Sequence, residues 1–291
     1  MGVVKSICKK SHIGTIIFFL LNASLIVGLF AAVDAELWLA GAVLYVLYVL
    51  AAFSRFGEWV LCTMAGARKM TRTDMKVRMR PLLEIVYKKA MKKTPGLSNQ
   101  LRLKVVYTPE PNAYAIGRRT ICVTEGLFAL PDDVVQGVLA HETAHLALRH
   151  TQIQLLIGGG NFIMDLLILT LRLLYILLGA ATLGTAYNGY KRDGGLSGVL
   201  NALPGLFAGG MIWLWTKFCM AFLMWSKREN EYEADAYAAE LGYGDALAKA
   251  LDAIGTSEPR ESLFKALYST HPNTHDRIGR LQQMGSLYAR Y

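Results

Sequence analysis

Two long apolar runs open the chain, about Ile13 to Val33 and Leu37 to Ser54, separated only by Asp34, Ala35 and Glu36. The first exceeds the roughly 7–15 residues of a signal-peptide core. At 1.5 Å per helical residue each run can cross a hydrocarbon layer of roughly 30 Å. The pattern predicts a transmembrane hairpin over residues 1–54. A second apolar pair, about Ile153 to Ala186 and Leu203 to Trp225, predicts another hairpin over 153–225. It carries Asp165, Arg172 and Lys217, charges that are costly in lipid and are expected to face protein or a wet cavity. Two polar blocks remain, 55–152 and 226–291. The simplest arrangement is one extramembrane domain interrupted by the second hairpin.

Within the first block, Thr71 to Lys93 places Met75, Val77, Met79, Leu82, Leu83, Ile85, Val86 and Met91 at helical spacing, and Pro95 and Gly96 stop it. Leu101 to Thr108 alternates Leu103, Val105 and Tyr107 with Arg102 and Lys104, a strand pattern broken by Pro109 and Pro111. Ala113 to Ile116 and Thr120 to Thr124 read as two short strands around Gly117. Pro131, followed by Asp132 and Asp133, opens a helix on which Val134, Val138, Leu139 and Leu146 share the apolar spacing. The second block begins with another helical stretch through Ala236, Ala238, Ala239 and Leu241.

Composition sharpens this picture. The chain is 53% hydrophobic and 18% charged, yet carries a net charge of +9. Such apolar content excludes an intrinsically disordered chain. A greasy but basic sequence is either a nucleic-acid binder or a membrane protein with a positive cytoplasmic side. The positions of the charges favour the second. Lys5, Lys9 and Lys10 precede the first span, Arg55 to Arg80 follow the second, and Lys227 and Arg228 follow the fourth. From Arg55 to Lys104 there are 13 basic against three acidic residues, a local excess above the whole-chain value. Both termini and the extramembrane mass are therefore expected on the cytoplasmic side, and no nucleic-acid partner is expected. The Lys88-Lys89 and Lys92-Lys93 pairs read as a solvated helix face rather than a lipid contact. Cys8, Cys62, Cys122 and Cys219 are dispersed and form no C-x-x-C pair, which points to reduced thiols.

The chemistry sits at 141–145, His-Glu-Thr-Ala-His. Residues four apart on a helix share a face, so His141 and His145 can grip one Zn²⁺. Glu142 is placed to accept a proton from zinc-bound water. A third ligand is needed. His150 lies roughly 180° around a continued helix from His141 and is expected to point away. A metzincin pattern fails at Leu148 and Thr151. Glu231 and Asp235, four apart, fit better: one can ligate the metal while the other holds a histidine N–H, and spacing leaves the choice between them open. His145 stands eight residues before Ile153, so a continuous helix would put the site about 12 Å from the second hairpin, just above the bilayer.

Two rival readings are weaker. A catalytically silent zinc-binding scaffold needs no Glu142 and normally closes its site with four ligands. A site-2-type intramembrane protease would use Asp193-Gly194, but Asp132, Asp133, Arg149 and His150 around the motif are too costly for lipid.

Four stretches, in order, resemble the HtpX and CAAX-prenyl-protease family of integral membrane zinc metalloproteases, of the gluzincin type. They are Asn112-Ala113-Tyr114-Ala115 with Gly117-Arg118; Thr124-Glu125-Gly126-Leu127 before the histidine motif; Glu231-Tyr232-Glu233-Ala234-Asp235; and Ser269 to Ile278. The four-span layout also resembles HtpX. Asn273 departs from the pattern, where the family commonly has a second proline. The resemblance implies an α-helical membrane protein with an α+β gluzincin-type metalloprotease domain, mostly helical with a small β-sheet. Residues 55–152 and 226–291 would be the two parts of that domain. It implies one Zn²⁺ per chain held by His141, His145 and Glu231, with Glu142 as catalytic base and Asp235 orienting a ligand histidine. Asn112, Ala113, Tyr114 and Ala115 would form an edge strand that pairs with an extended peptide substrate, and Arg277 would lie beside it. His271 would donate to the tetrahedral oxyanion, whereas His275 is expected at the surface. The implied protein is a quality-control endopeptidase of a bacterial inner membrane. It would have four spans and cleave membrane or membrane-associated proteins at the cytoplasmic face.

Overall fold

Asp34 interrupts the first apolar stretch. Its backbone is extended (φ −152°), and its side chain accepts the Glu36 N–H at 3.0 Å. This ends α1 (Lys10–Val33) and starts a single 3₁₀ turn (Ala35–Leu37) leading into α2 (Trp38–Phe53). The two helices form an antiparallel hairpin. Gly41 lets them close on Val27 and Phe30, and further along Tyr45 donates to the Phe19 carbonyl at 3.0 Å. Leu39, Val43, Leu44, Leu47 and Leu50 face outward and are exposed. Among the described residues, one helix, Ala35–Phe53, is long and apolar enough to cross a membrane, and Ile16–Gly28 is a shorter apolar stretch. The structure, a computed structural model, describes residues 10–151, 214, 227–255 and 274–288. The expected second hairpin with Asp165, Arg172 and Lys217, the Asp193-Gly194 pair, and His271 all lie outside the described residues.

Ser54 caps the next helix, α3 (Arg55–Met64), accepting the N–H groups of Phe56 (3.1 Å) and Gly57 (3.5 Å). The hydrophobic pattern did not single out this helix. It is amphipathic: Glu58, Leu61 and Cys62 are buried, while Phe56 and Trp59 stack in the open with ring centroids 5.8 Å apart. Cys62 and Cys122 are buried free thiols.

A four-stranded mixed sheet follows, in the order β1-β2-β4-β3: β1 (Arg68–Lys69), β2 (Arg102–Val106), β3 (Ala113–Ile116) and β4 (Thr120–Thr124). β2 and β4 run parallel, with Val105 beside Val123. β3 and β4 form an antiparallel hairpin, with Ala115 beside Ile121. Its turn needs Gly117 (φ +64°), whose missing Cβ also makes room for the Glu58 carboxylate. All five residues of β4 are buried, as expected for a central strand, and β3 is an edge.

The sheet packs on α4 (Thr73–Lys93) and α5 (Asp132–Ala147). Helix α4 turns Met75, Met79, Leu82, Leu83, Val86 and Ala90 inward, whereas Val77 and Ile85, expected on the same face, are exposed because the helix rotates them away from the core stripe. Its Arg78 reaches the Phe128 and Leu130 carbonyls and Asp132, pinning the start of α5. The later block supplies α6 (227–238), a π turn (Ala239–Tyr243), α7 (Gly244–Gly255) and α8 (Thr274–Gln283). Ala234, Ala238, Leu247 and Leu281 join Met79, Val105, Val123 and Leu139 in one core, so residues from both polar blocks share it. The architecture is mostly helical with a small mixed sheet.

Candidate metal centre

Helix α5 is buried nearly all round from Val134 to Leu146, so its two histidines lie inside the fold. Helix α6 crosses beside it and contributes Glu231 and Asp235. Three side chains converge: His141 Nε2 and His145 Nε2 lie 3.1 Å apart, and the Glu231 carboxylate sets Oε2 3.3 Å from the first and Oε1 3.4 Å from the second. Ligands held at roughly 2.0–2.1 Å in a tetrahedron are separated by about 3.3 Å, so the triangle has the size a zinc ion requires. Charge agrees with size. With neutral imidazoles, the three buried carboxylates of Glu142, Glu231 and Asp235 gather beside the Arg277 guanidinium, and such a concentration of buried negative charge favours a cation. His141, His145 and Glu231 are the group among the described residues that could hold a metal ion in this way.

A second layer holds the ligands in place. Asp235 Oδ1 lies 2.9 Å from His141 Nδ1, which fixes Nε2 as the free, metal-facing nitrogen. Arg277 of α8 grips the same carboxylate with two bonds of 2.6 and 2.7 Å and lies 3.6 Å from Glu231. Burial alone would push Asp235 up, but Arg277 and His141 outweigh it and hold the carboxyl at about 2. Burial likewise opposes charge on His141, yet Asp235 and Glu231 raise its pKa to about 10 in the metal-free chain. Arg277, expected beside the substrate, is thus buried behind the metal ligands and braces Asp235 and Glu231.

His150 departs from its expected position. Helix α5 stops at Ala147, and Arg149 turns the chain with φ +64°. The helical projection therefore fails, and His150 folds back beneath the site. Its Nδ1 is 3.1 Å from His145 Nδ1, and its Nε2 is 3.4 Å from Glu233. His150 does for His145 what Asp235 does for His141. Nothing in the sequence flagged this, because a left-handed turn at a helix end is normally announced by glycine, and here arginine occupies it. The same turn removes the expected continuous helix toward Ile153.

Glu142 is buried next to the ligands, and its Oε2 accepts the Ala115 N–H at 2.7 Å. That N–H lies on the free side of edge strand β3, as does the Ala113 N–H, which bonds Asn112 Oδ1 at 2.8 Å. Asn112 is tied to β4 through Thr124, and the Tyr114 hydroxyl donates to the Ala65 carbonyl at 3.3 Å. All four residues of the expected substrate strand therefore stand along the edge beside Glu142. His275 is exposed on α8.

The chain is similar to known peptidases. The profile of peptidase family M48 matches residues 79–285. A protease HtpX homologue of Dictyoglomus thermophilum is 28% identical over 214 residues, covering 63% of this chain and 63% of its own length. One from Tropheryma whipplei (strain TW08/27) is 29% identical over 249 residues, covering 77% and 78%. One from Janthinobacterium sp. (strain Marseille) is 31% identical over 202 residues, covering 62% and 64%.

Proposed function

The chain belongs to peptidase family M48, and from that premise we propose that it is a membrane-anchored zinc endopeptidase of HtpX type. It would cut membrane or membrane-associated proteins at the cytoplasmic face in the manner of protein quality control. The observation that carries the chemistry is the convergence of His141, His145 and Glu231, whose nitrogens lie 3.1 Å apart with a Glu231 oxygen 3.3–3.4 Å from each, spacings that suit a tetrahedral zinc site with one position left for water. Bound there, zinc would supply Lewis acidity and lower the pKa of a water. The rest falls to the chain's own groups. Glu142, fixed through Oε2 by the Ala115 N–H, keeps Oε1 to take the proton of the attacking water and pass it to the leaving amine. Strand β3 is the sheet edge beside Glu142, and an extended peptide would pair along it by taking over the Ala113 N–H from Asn112 Oδ1. Asp235, His150 and Arg277 hold the histidines in one tautomer and orientation.

The membrane placement is supported by the α1–α2 hairpin with its outward leucines and by the basic block that follows it. Glu142→Gln tests the mechanism: zinc content should stay at one per chain while peptide cleavage is lost. Cleavage at the wild-type rate by that variant would refute the role of Glu142.

A further inference from the structure

Where α2 ends, the chain frames a pocket of about 420 Å³. Phe53 and Ser54 line it at the end of α2, Leu97 and Leu146 add apolar surface, and four arginines also line it: Arg55, Arg118, Arg119 and Arg149. Among the described residues, the acid in the lining is Glu58, which is already engaged. It accepts the Thr120 hydroxyl at 2.5 Å and lies 4.0 Å from Arg119, which also donates to Gln100 at 2.9 Å. Among the described residues, Arg55, Arg118 and Arg149 form no ion pair. Three uncompensated guanidinium groups around one cavity repel one another and hold a place for an anion.

Two further observations narrow the occupant. Arg149 is the one non-glycine residue with positive φ among the described residues. Such strain persists where the surroundings over-determine it, and it clusters at functional sites. The turn it makes sends His150 inward to His145 and leaves Arg149 in the pocket wall. The location is equally specific. The lining includes Phe53, the last residue of the apolar helix α2, and α3 beside it exposes the Phe56–Trp59 pair, as aromatic side chains do at the level of lipid headgroups. The planar arginine fork matches phosphate oxygens in bidentate geometry, and the cytoplasmic leaflet of a bilayer is rich in anionic phosphates.

We propose that this pocket binds the phosphate headgroup of an anionic membrane lipid through Arg55, Arg118 and Arg149, with the glycerol end resting on Leu97 and Leu146. The assignment rests on the reading of α1–α2 as a membrane hairpin. The site differs from the cleft lined by Lys69, Lys76, Arg80 and Lys104, which lies against β1 and β2 and away from the end of α2.

The test uses the full chain, delipidated in neutral detergent and titrated with short-chain phosphatidylglycerol, short-chain phosphatidylcholine and inorganic phosphate, with bound ligand counted by native mass spectrometry. Wild type should bind one phosphatidylglycerol saturably and ignore the other two. Each cation near a headgroup contributes about fivefold. The double variant Arg118→Gln, Arg149→Asn should therefore weaken binding about 30-fold; asparagine is chosen because it tolerates the left-handed backbone. An equal loss of charge at Lys76 and Arg80 should change nothing. Equal weakening by that control, unaltered binding by the double variant, or no saturable binding would overturn the proposal. Inorganic phosphate binding as well as the lipid would overturn the lipid assignment in favour of a soluble anion. Release of the chain from cell membranes by alkaline carbonate would instead overturn the membrane reading itself.

Discussion

Replacing His150 by alanine removes a side chain that is not a metal ligand, and should nevertheless weaken metal binding. His145 presents Nε2 to the triangle, so its proton is on Nδ1, 3.1 Å from His150 Nδ1. Without His150 that N–H is buried without a partner, a cost of about 1–3 kcal/mol. Loss of an outer partner of a metal-bound histidine weakens metal affinity by about 10- to 100-fold, or about 1.4–2.7 kcal/mol at 1.36 kcal/mol per decade. The two routes agree. Glu233 sits one step further out, and its contact with His150 is longer at 3.4 Å. Glutamine there can still accept, so Glu233→Gln should lose less than tenfold. The assay is zinc competition with a chelating dye on the purified full chain, together with the visible spectrum of the cobalt-substituted protein, which reports ligand geometry. His150→Ala binding zinc as tightly as wild type, with an unchanged cobalt spectrum, would refute the orienting role.

Three other outcomes follow from the same contacts. Arg277→Met strands the buried carboxylates of Asp235 and Glu231 and should cost about 3–5 kcal/mol in denaturant unfolding of the metal-free chain, with Arg277→Lys recovering only part because it lacks the paired N–H groups. Gly137→Ala would drive a Cβ into the α7 backbone at Ala246 and Leu247 and should destabilise by about 1–3 kcal/mol, whereas Gly279→Ala, with nothing within 4 Å, should be neutral or slightly stabilising in the same measurement. His141, held up at about 10 in the metal-free chain, is protonated at pH 7, while a ligand must be neutral. Zinc binding should therefore release about one proton from His141, and apparent affinity should rise with pH until that value is passed. Calorimetry in buffers of different ionisation enthalpy counts the proton, and a release of zero at pH 7 would contradict the carboxylate pairing of His141.

The elements that periodicity marks are those whose neighbours are local. Helix α4, strands β2 to β4 and helix α5 fall within a few residues of the bounds expected from their apolar spacing and stop signals. Two histidines four apart need only one helix to meet, so the core of the site was legible before any fold was known. Glu231 was harder. Spacing placed it and Asp235 on one face, and only the crossing of α6 over α5 puts the first at the metal triangle and the second on His141 Nδ1. Helix α3 escaped notice because its polar face is closed by Glu58, a buried acid whose partner Thr120 is 62 residues away.

By itself the sequence determined the apolar hairpin, the basic block behind it, and the helix that carries His141, Glu142 and His145. Each follows from interactions within one turn or one span. The tertiary structure alone decided how Arg277 and His150 serve those three. Arg277 went behind the ligands instead of to the substrate edge, and His150 came back beneath His145. The physical reason in both cases is the buried charge: a carboxylate or imidazole removed from water must find its partner in space, and the partner's place in the chain does not matter.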